Sequence, residues 1–117
     1  MKNLIFITIA LLSFSARADV TVIKSNLNGE LTELPNGTFQ LINPTITVGK
    51  KNYCIYQGAD SAKAVCQMLG KRYIAEALTS VSAETERIIQ FREDNSMVLT
   101  EPVGYSTYTV ANVITCK

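Results

Sequence analysis

DSAKAVCQMLG, residues 60–70, carries the one good helical signal in the chain, and the reading of everything else follows from it. Asp60 reads as the N-cap, and Ala62, Val65, Cys66 and Leu69 fall at i, i+3, i+4 and i+7, so one apolar stripe forms while Lys63 and Gln67 lie off it. Gly70 supplies the stop, and Lys71 with Arg72 suits the negative end of the helix dipole. The stripe places Cys66 on a buried face. No other segment has this period cleanly, so the expected fold class is α+β: a small, mainly antiparallel β-sheet with one packed helix over about residues 60–70.

Outward from the helix the chain is punctuated as closely spaced strands. Val20 to Ile23 form a β-branched run, followed by the turn-like Asn26-Leu27-Asn28-Gly29. Leu31 to Leu34 and Thr38 to Ile42 flank Pro35-Asn36-Gly37, and an Asn-Gly pair tolerates the positive φ of a tight turn, which predicts a hairpin. Thr45 to Val48 and Asn52 to Gln57 flank Gly49-Lys50-Lys51 and suggest a second. In the stretch 73–92, Ser82 to Arg87 could open a helix, but the alternation of Arg87, Ile89 and Phe91 before the Asp94-Asn95 turn favours strands. The last segment, Tyr105 to Cys116, is rich in strand formers, with Tyr108, Val110, Asn112, Ile114 and Cys116 on one face by parity.

Residues 1–18 have the layout of a cleaved secretory signal peptide: Lys2 in a short positive start, an apolar run from Leu4 to Phe14, and the small-x-small ending Ala16-Arg17-Ala18. The run is shorter than the ~20 residues of a membrane-spanning helix, so no membrane anchor is expected after signal cleavage. Of 117 residues, the 99 from Asp19 onward then make a single disulfide-stapled α+β domain, expected to be periplasmic or secreted by a bacterium. Loss of Lys2 and Arg17 with the leader turns the formal net charge from +1 to −1. A near-neutral chain without clustered Lys/Arg is no nucleic-acid binder. The sequence holds no histidine, which removes Ser-His-Asp and Cys-His catalysis and His-ligated metal sites. Asn36-Gly37-Thr38 matches a glycosylation acceptor, although its plain reading is a turn.

Cys54, Cys66 and Cys116 allow one bridge and leave one thiol over. Cys66 with Cys116 is favoured, because a helix face and the end of the last strand are both core positions; Cys54 with Cys66 is the alternative. Cys54 would then be a free or intermolecular thiol, and without a histidine base it makes a poor nucleophile. The segment Cys54 to Gly70, CIYQGADSAKAVCQMLG, together with Val113-Ile114-Thr115-Cys116, resembles part of the scavenger receptor cysteine-rich domain. Val65-Cys66-Gln67-Met68-Leu69-Gly70 stands at that family's helix end and Cys116 at its terminal cysteine, and the resemblance implies that these two pair. The other family cysteines are missing, and Ile55 and Tyr56 replace the acidic pair that helps bind metal and ligand there.

Three functions from different classes remain. A non-catalytic binding or inhibitory module for an unknown protein or glycan ligand suits a compact, neutral, stapled domain, with Tyr53, Tyr56, Tyr105 and Tyr108 as candidate interface residues and no cofactor. A carboxylate-based hydrolase of extracytoplasmic glycans would draw on Glu76, Glu84, Glu86, Glu93, Asp94 and Glu101, none of which lies in a recognisable motif. The spacing at Asp94-Asn95-Ser96 lacks the acids of a calcium loop. A surface-assembly or structural component would pair strand edges between chains, with the terminal strand as the natural edge. The binding module is the expectation, with no catalytic or metal residues assigned.

Overall fold

The computed structural model describes residues 26–117. The signal peptide of residues 1–18 and the run Val20 to Ile23 lie outside the described residues. Among the described residues, seven strands and one helix follow in the order β1 (Leu27–Glu33), β2 (Phe39–Val48), β3 (Lys51–Ile55), α1 (Ala59–Met68), β4 (Tyr73–Ser82), β5 (Ile88–Phe91), β6 (Met97–Thr100) and β7 (Thr107–Cys116). The sheet runs β4-β7-β2-β3-β5-β6, with β1 paired to β2. All the pairings are antiparallel except β3 with β5, so the small, mainly antiparallel α+β architecture is what the chain adopts.

Both hairpins form where turn chemistry places them. Gly37 takes φ 84° and the Leu34 N–H donates to the Thr38 carbonyl at 2.8 Å, closing the β1–β2 turn. The Asn36 side chain accepts from both the Thr38 N–H and hydroxyl, which is the local bond that makes asparagine a turn residue. Between β2 and β3, Gly49 and Lys50 have φ 57° and 69°, the paired positive values of a two-residue turn whose twist suits the flanking strands.

The strand boundaries differ from the sequence reading in two places. Asn26 to Gly29 is no turn; β1 begins at Leu27, and its ladder with β2 slips between Asn28 and Glu30, where Gly29, at φ 140°, stands opposite a bulge at Asn43-Pro44 of β2. Its absent side chain matters, because a Cβ there would sit 2.9 Å from the Ile42 carbonyl oxygen. The two runs Thr38 to Ile42 and Thr45 to Val48 are one strand, β2, carried across Asn43 at φ 52° and Pro44. Its first half pairs with β7 and its second half with β3, so the irregularity at Asn43-Pro44 marks a change of neighbour.

The helix buries Ser61, Ala62, Ala64, Val65 and Cys66 against the sheet, while Lys63 and Gln67 face water. Gly58, not Asp60, is its N-cap; Asp60 sits in the first turn, where its charge suits the dipole. At the other end the Gly70 N–H bonds the Gln67 carbonyl and the Lys71 N–H bonds the Cys66 carbonyl, with Gly70 at φ 70°. That pair of bonds is the Schellman stop, and it fixes the chain's exit toward β4. Ile46, Ile55, Val65, Ile89, Phe91 and Ile114 are fully buried and form the centre of the core. A disulfide joins Cys66 to Cys116, with 5.7 Å between the Cα atoms, and so ties α1 to the end of β7.

Residues 73–92 contain strands at both ends, as favoured. The segment between them is a turn, with the Glu86 N–H on the Ser82 carbonyl, and not a second helix. Parity along β7 holds only as far as Asn112. There the β4 ladder slips, with Ala77 opposite Val113 and Leu78 opposite Ala111, and in consequence Val110 and Ala111 are both buried.

Candidate functional site

The acids named as catalytic candidates are dispersed, each with a local task or none. Glu76 receives the Gly58 N–H at 2.9 Å, reaching from β4 to the start of α1. Asp94 accepts from the Ser96 N–H and hydroxyl and shapes the β5–β6 turn, where Asn95 has φ 67°. Glu101 accepts from the Tyr53 hydroxyl at 2.7 Å and the Arg87 Nε at 2.8 Å, with Lys51 at 3.9 Å. These hydrogen bonds, from Tyr53 first and Arg87 second, hold its carboxyl below the usual range, so it is an anion throughout neutral conditions. Asp60 and Glu93 share the rim of a depression of about 160 Å³ at the start of α1, but both are exposed and nothing there excludes water. Among the described residues no cluster of three or more Cys, Asp and Glu could hold a metal ion.

Cys54 is the free thiol, half-buried on β3. Burial first and the neighbouring Glu86 carboxylate second push it up to about 11, and Sγ lies 3.7 Å from Glu86 Oε1. At neutral pH such a thiol is protonated and donates weakly to the carboxylate, the opposite of an activated nucleophile.

The four candidate interface tyrosines do not form one face. Tyr53 leaves the set: it is 3% exposed, in the core cluster, with its hydroxyl engaged by Glu101. Alternation on β3 turns it inward with Ile55, and a tyrosine can be buried when its hydroxyl finds a partner. Tyr56 is half-buried and bridges to Val110 of β7. Tyr108 stands opposite Val81, half-buried within the β4–β7 pair. Tyr105 is 96% exposed in the loop before β7.

The edges of the sheet are more informative. The terminal strand is not one of them, because β7 has β4 on one side and β2 on the other, and these two ladders consume the positions the sequence left open. Among the described residues, the strands with an unpaired side are β1, β4 and β6. β6 has four residues. β1 carries Glu30 and Glu33, exposed charges of the kind that discourage further pairing. β4 has ten residues, YIAEALTSVS, mostly exposed, without lysine, arginine or proline. Its one charge, Glu76, is turned inward to Gly58. Ile74, an extra residue where the ladder with β7 slips, and Leu78, within the regular part of the strand, are 45% and 46% exposed along it. At the β4 entrance Lys63, Gln67, Lys71, Arg72 and Tyr73 line an open cleft of about 310 Å³, and Lys71 lies 4.2 Å above the Phe39 ring. This edge was not among the sequence candidates, because residues 73–82 do not reveal which of their two sides is already taken.

No protein-family model, no curated protein and no solved structure matches the chain. The cysteine pair implied by the scavenger receptor resemblance is present. The positions of that family's acidic pair serve packing here instead, Ile55 fully buried and Tyr56 joined to β7.

Proposed function

We propose that the chain is an exported, non-catalytic binding module that takes on its partner as an added strand along β4. The observation that carries this reading is the unguarded β4 edge. Ten residues of strand present a row of backbone donors and acceptors about 30 Å long, with apolar Ile74 and Leu78 beside them. The other unpaired strands are short or charged. A protonated Cys54 and a set of scattered, solvated or structurally engaged carboxylates give the hydrolase reading no support. The Cys66–Cys116 disulfide suits an oxidising compartment, and among the described residues no helix is long and apolar enough to cross a membrane. Both support export, into the periplasm or the medium.

Leu78→Lys places a charge in the middle of the edge without touching the core. Immobilised, oxidised mature protein is expected to retain a partner from periplasmic extract or culture medium, to lose it on Leu78→Lys, and to keep it on Leu99→Lys, the equivalent change on β6. Equal retention by all three would overturn the reading.

A further inference from the structure

We infer that the strand added to β4 is β4 of a second copy of this chain, paired antiparallel about a two-fold axis at Leu78. This rests on the strand-addition reading and deepens it by naming the partner. Strand pairing across a two-fold is isologous, so residue i meets residue j and j meets i. From Leu78 at the axis, Glu76 stands opposite Ser80 of the second copy; beyond it Ile74 is an extra residue in the β4 ladder and β4 ends at Ser82, so Arg72 and the second copy's Glu84 are neighbours at the ends of the pairing and not a ladder pair.

Three features of the fold favour this register. Leu78, a half-exposed apolar side chain on an exposed strand, meets its own equivalent at the axis, so each copy covers the other's apolar surface. Arg72 and Glu84 flank β4 at its two ends, and neither has an ion-pair partner among the described residues. Self-pairing makes two identical Arg72–Glu84 contacts, one at each end of the shared ladder. Glu76 brings no repulsion, since its carboxylate faces Gly58 of its own chain. Shifted registers lose the apolar contact: an axis at Ala77 sets Leu78 opposite Glu76, and an axis at Thr79 sets it opposite Ser80. The same operation on β1 would leave its Glu30 and Glu33 among the residues brought together, where like charges oppose pairing.

A charge swap tests this. Sedimentation velocity of the oxidised mature protein over a wide concentration range is expected to show a dimer. Arg72→Glu and Glu84→Arg should each raise the dimer dissociation constant about tenfold, because two symmetric contacts turn from attractive to repulsive. The double variant Arg72→Glu/Glu84→Arg should bring it back to within about threefold of the starting value, a recovery that a merely local effect of either side chain would not produce. Leu78→Lys should give a monomer. A double variant weaker than either single one would overturn the proposed register. A wild-type monomer that still loses a captured partner on Leu78→Lys would overturn self-pairing and leave strand addition standing. A wild-type monomer whose capture is indifferent to Leu78→Lys would overturn both.

Discussion

Replacing Cys66 and Cys116 together by alanine is expected to lower the unfolding free energy by about 4 kcal/mol, the loop-closure entropy that a bridge across fifty residues removes from the unfolded chain. The fold makes that loss hard to absorb. Cys66 is on the inner face of α1 and Cys116 is the last residue of β7, and both are essentially inaccessible to water. Besides the bridge, the end of the chain is held by two backbone bonds between Arg72 and Lys117, 3.0 and 2.8 Å, and by the ladders of Cys116 to Phe39 and Tyr73. A domain of this size has a total stability of only about 5–10 kcal/mol, so the variant should lie near its unfolding threshold at physiological temperature. Urea denaturation followed by circular dichroism measures it, with Cys54→Ser as the control, expected to cost less than about 1 kcal/mol because Cys54 is half-buried and unbridged. A double variant within that margin of the wild type would show that packing alone holds α1 on the sheet.

The second large effect is expected at Phe91. Phe91→Ala should cost about 3–5 kcal/mol, since a large side chain leaves a fully packed site and the surroundings can close the cavity only in part. Phe91 is 1% exposed at the end of β5. Its backbone is held from the helix as well: the Ser61 hydroxyl accepts the Phe91 N–H at 3.0 Å and donates to its carbonyl at 3.4 Å, so the strand cannot slide inward to fill the space. Leu99→Ala on neighbouring β6, at 40% exposure, should cost under about 1 kcal/mol in the same denaturation series. Similar costs at the two positions would mean that Phe91 does not fill a tightly packed site.

These two residues also show what the sequence makes legible. The helix was readable because its stripe, its glycine stop and its cysteine all agree locally, and placing two cysteines on inward faces favoured the disulfide over the alternative from Cys54 to Cys66. The hairpins were readable from Asn36-Gly37 and Gly49-Lys50, because turn chemistry is a property of the turn residues themselves. What was not legible depends on contacts far apart in the chain. The bulges opposite Gly29 and at Asn112 exist only relative to a partner strand, so neither the start of β1 nor the broken parity of β7 could be read from spacing. Tyr53 resembles an interface tyrosine until Glu101, 48 residues away, supplies the acceptor that allows its burial. The edge is the extreme case. The Thr/Val/Tyr-rich terminal strand has the composition of an exposed edge, yet it is enclosed by β4 and β2, while the less conspicuous residues 73–82 are left with a free side.

That free side is the centre of the functional account, and amide hydrogen exchange addresses it directly. In dilute oxidised protein, the outward amides of β4 should exchange fast while those of β2 and β7 are protected by ladders on both sides. As the protein is concentrated, protection is expected to appear along Tyr73–Ser82 and nowhere on β1 or β6. Slow exchange of the outward β4 amides in dilute protein would contradict the free edge, and concentration-dependent protection confined to β1 or β6, or none on β4, would contradict self-pairing along it.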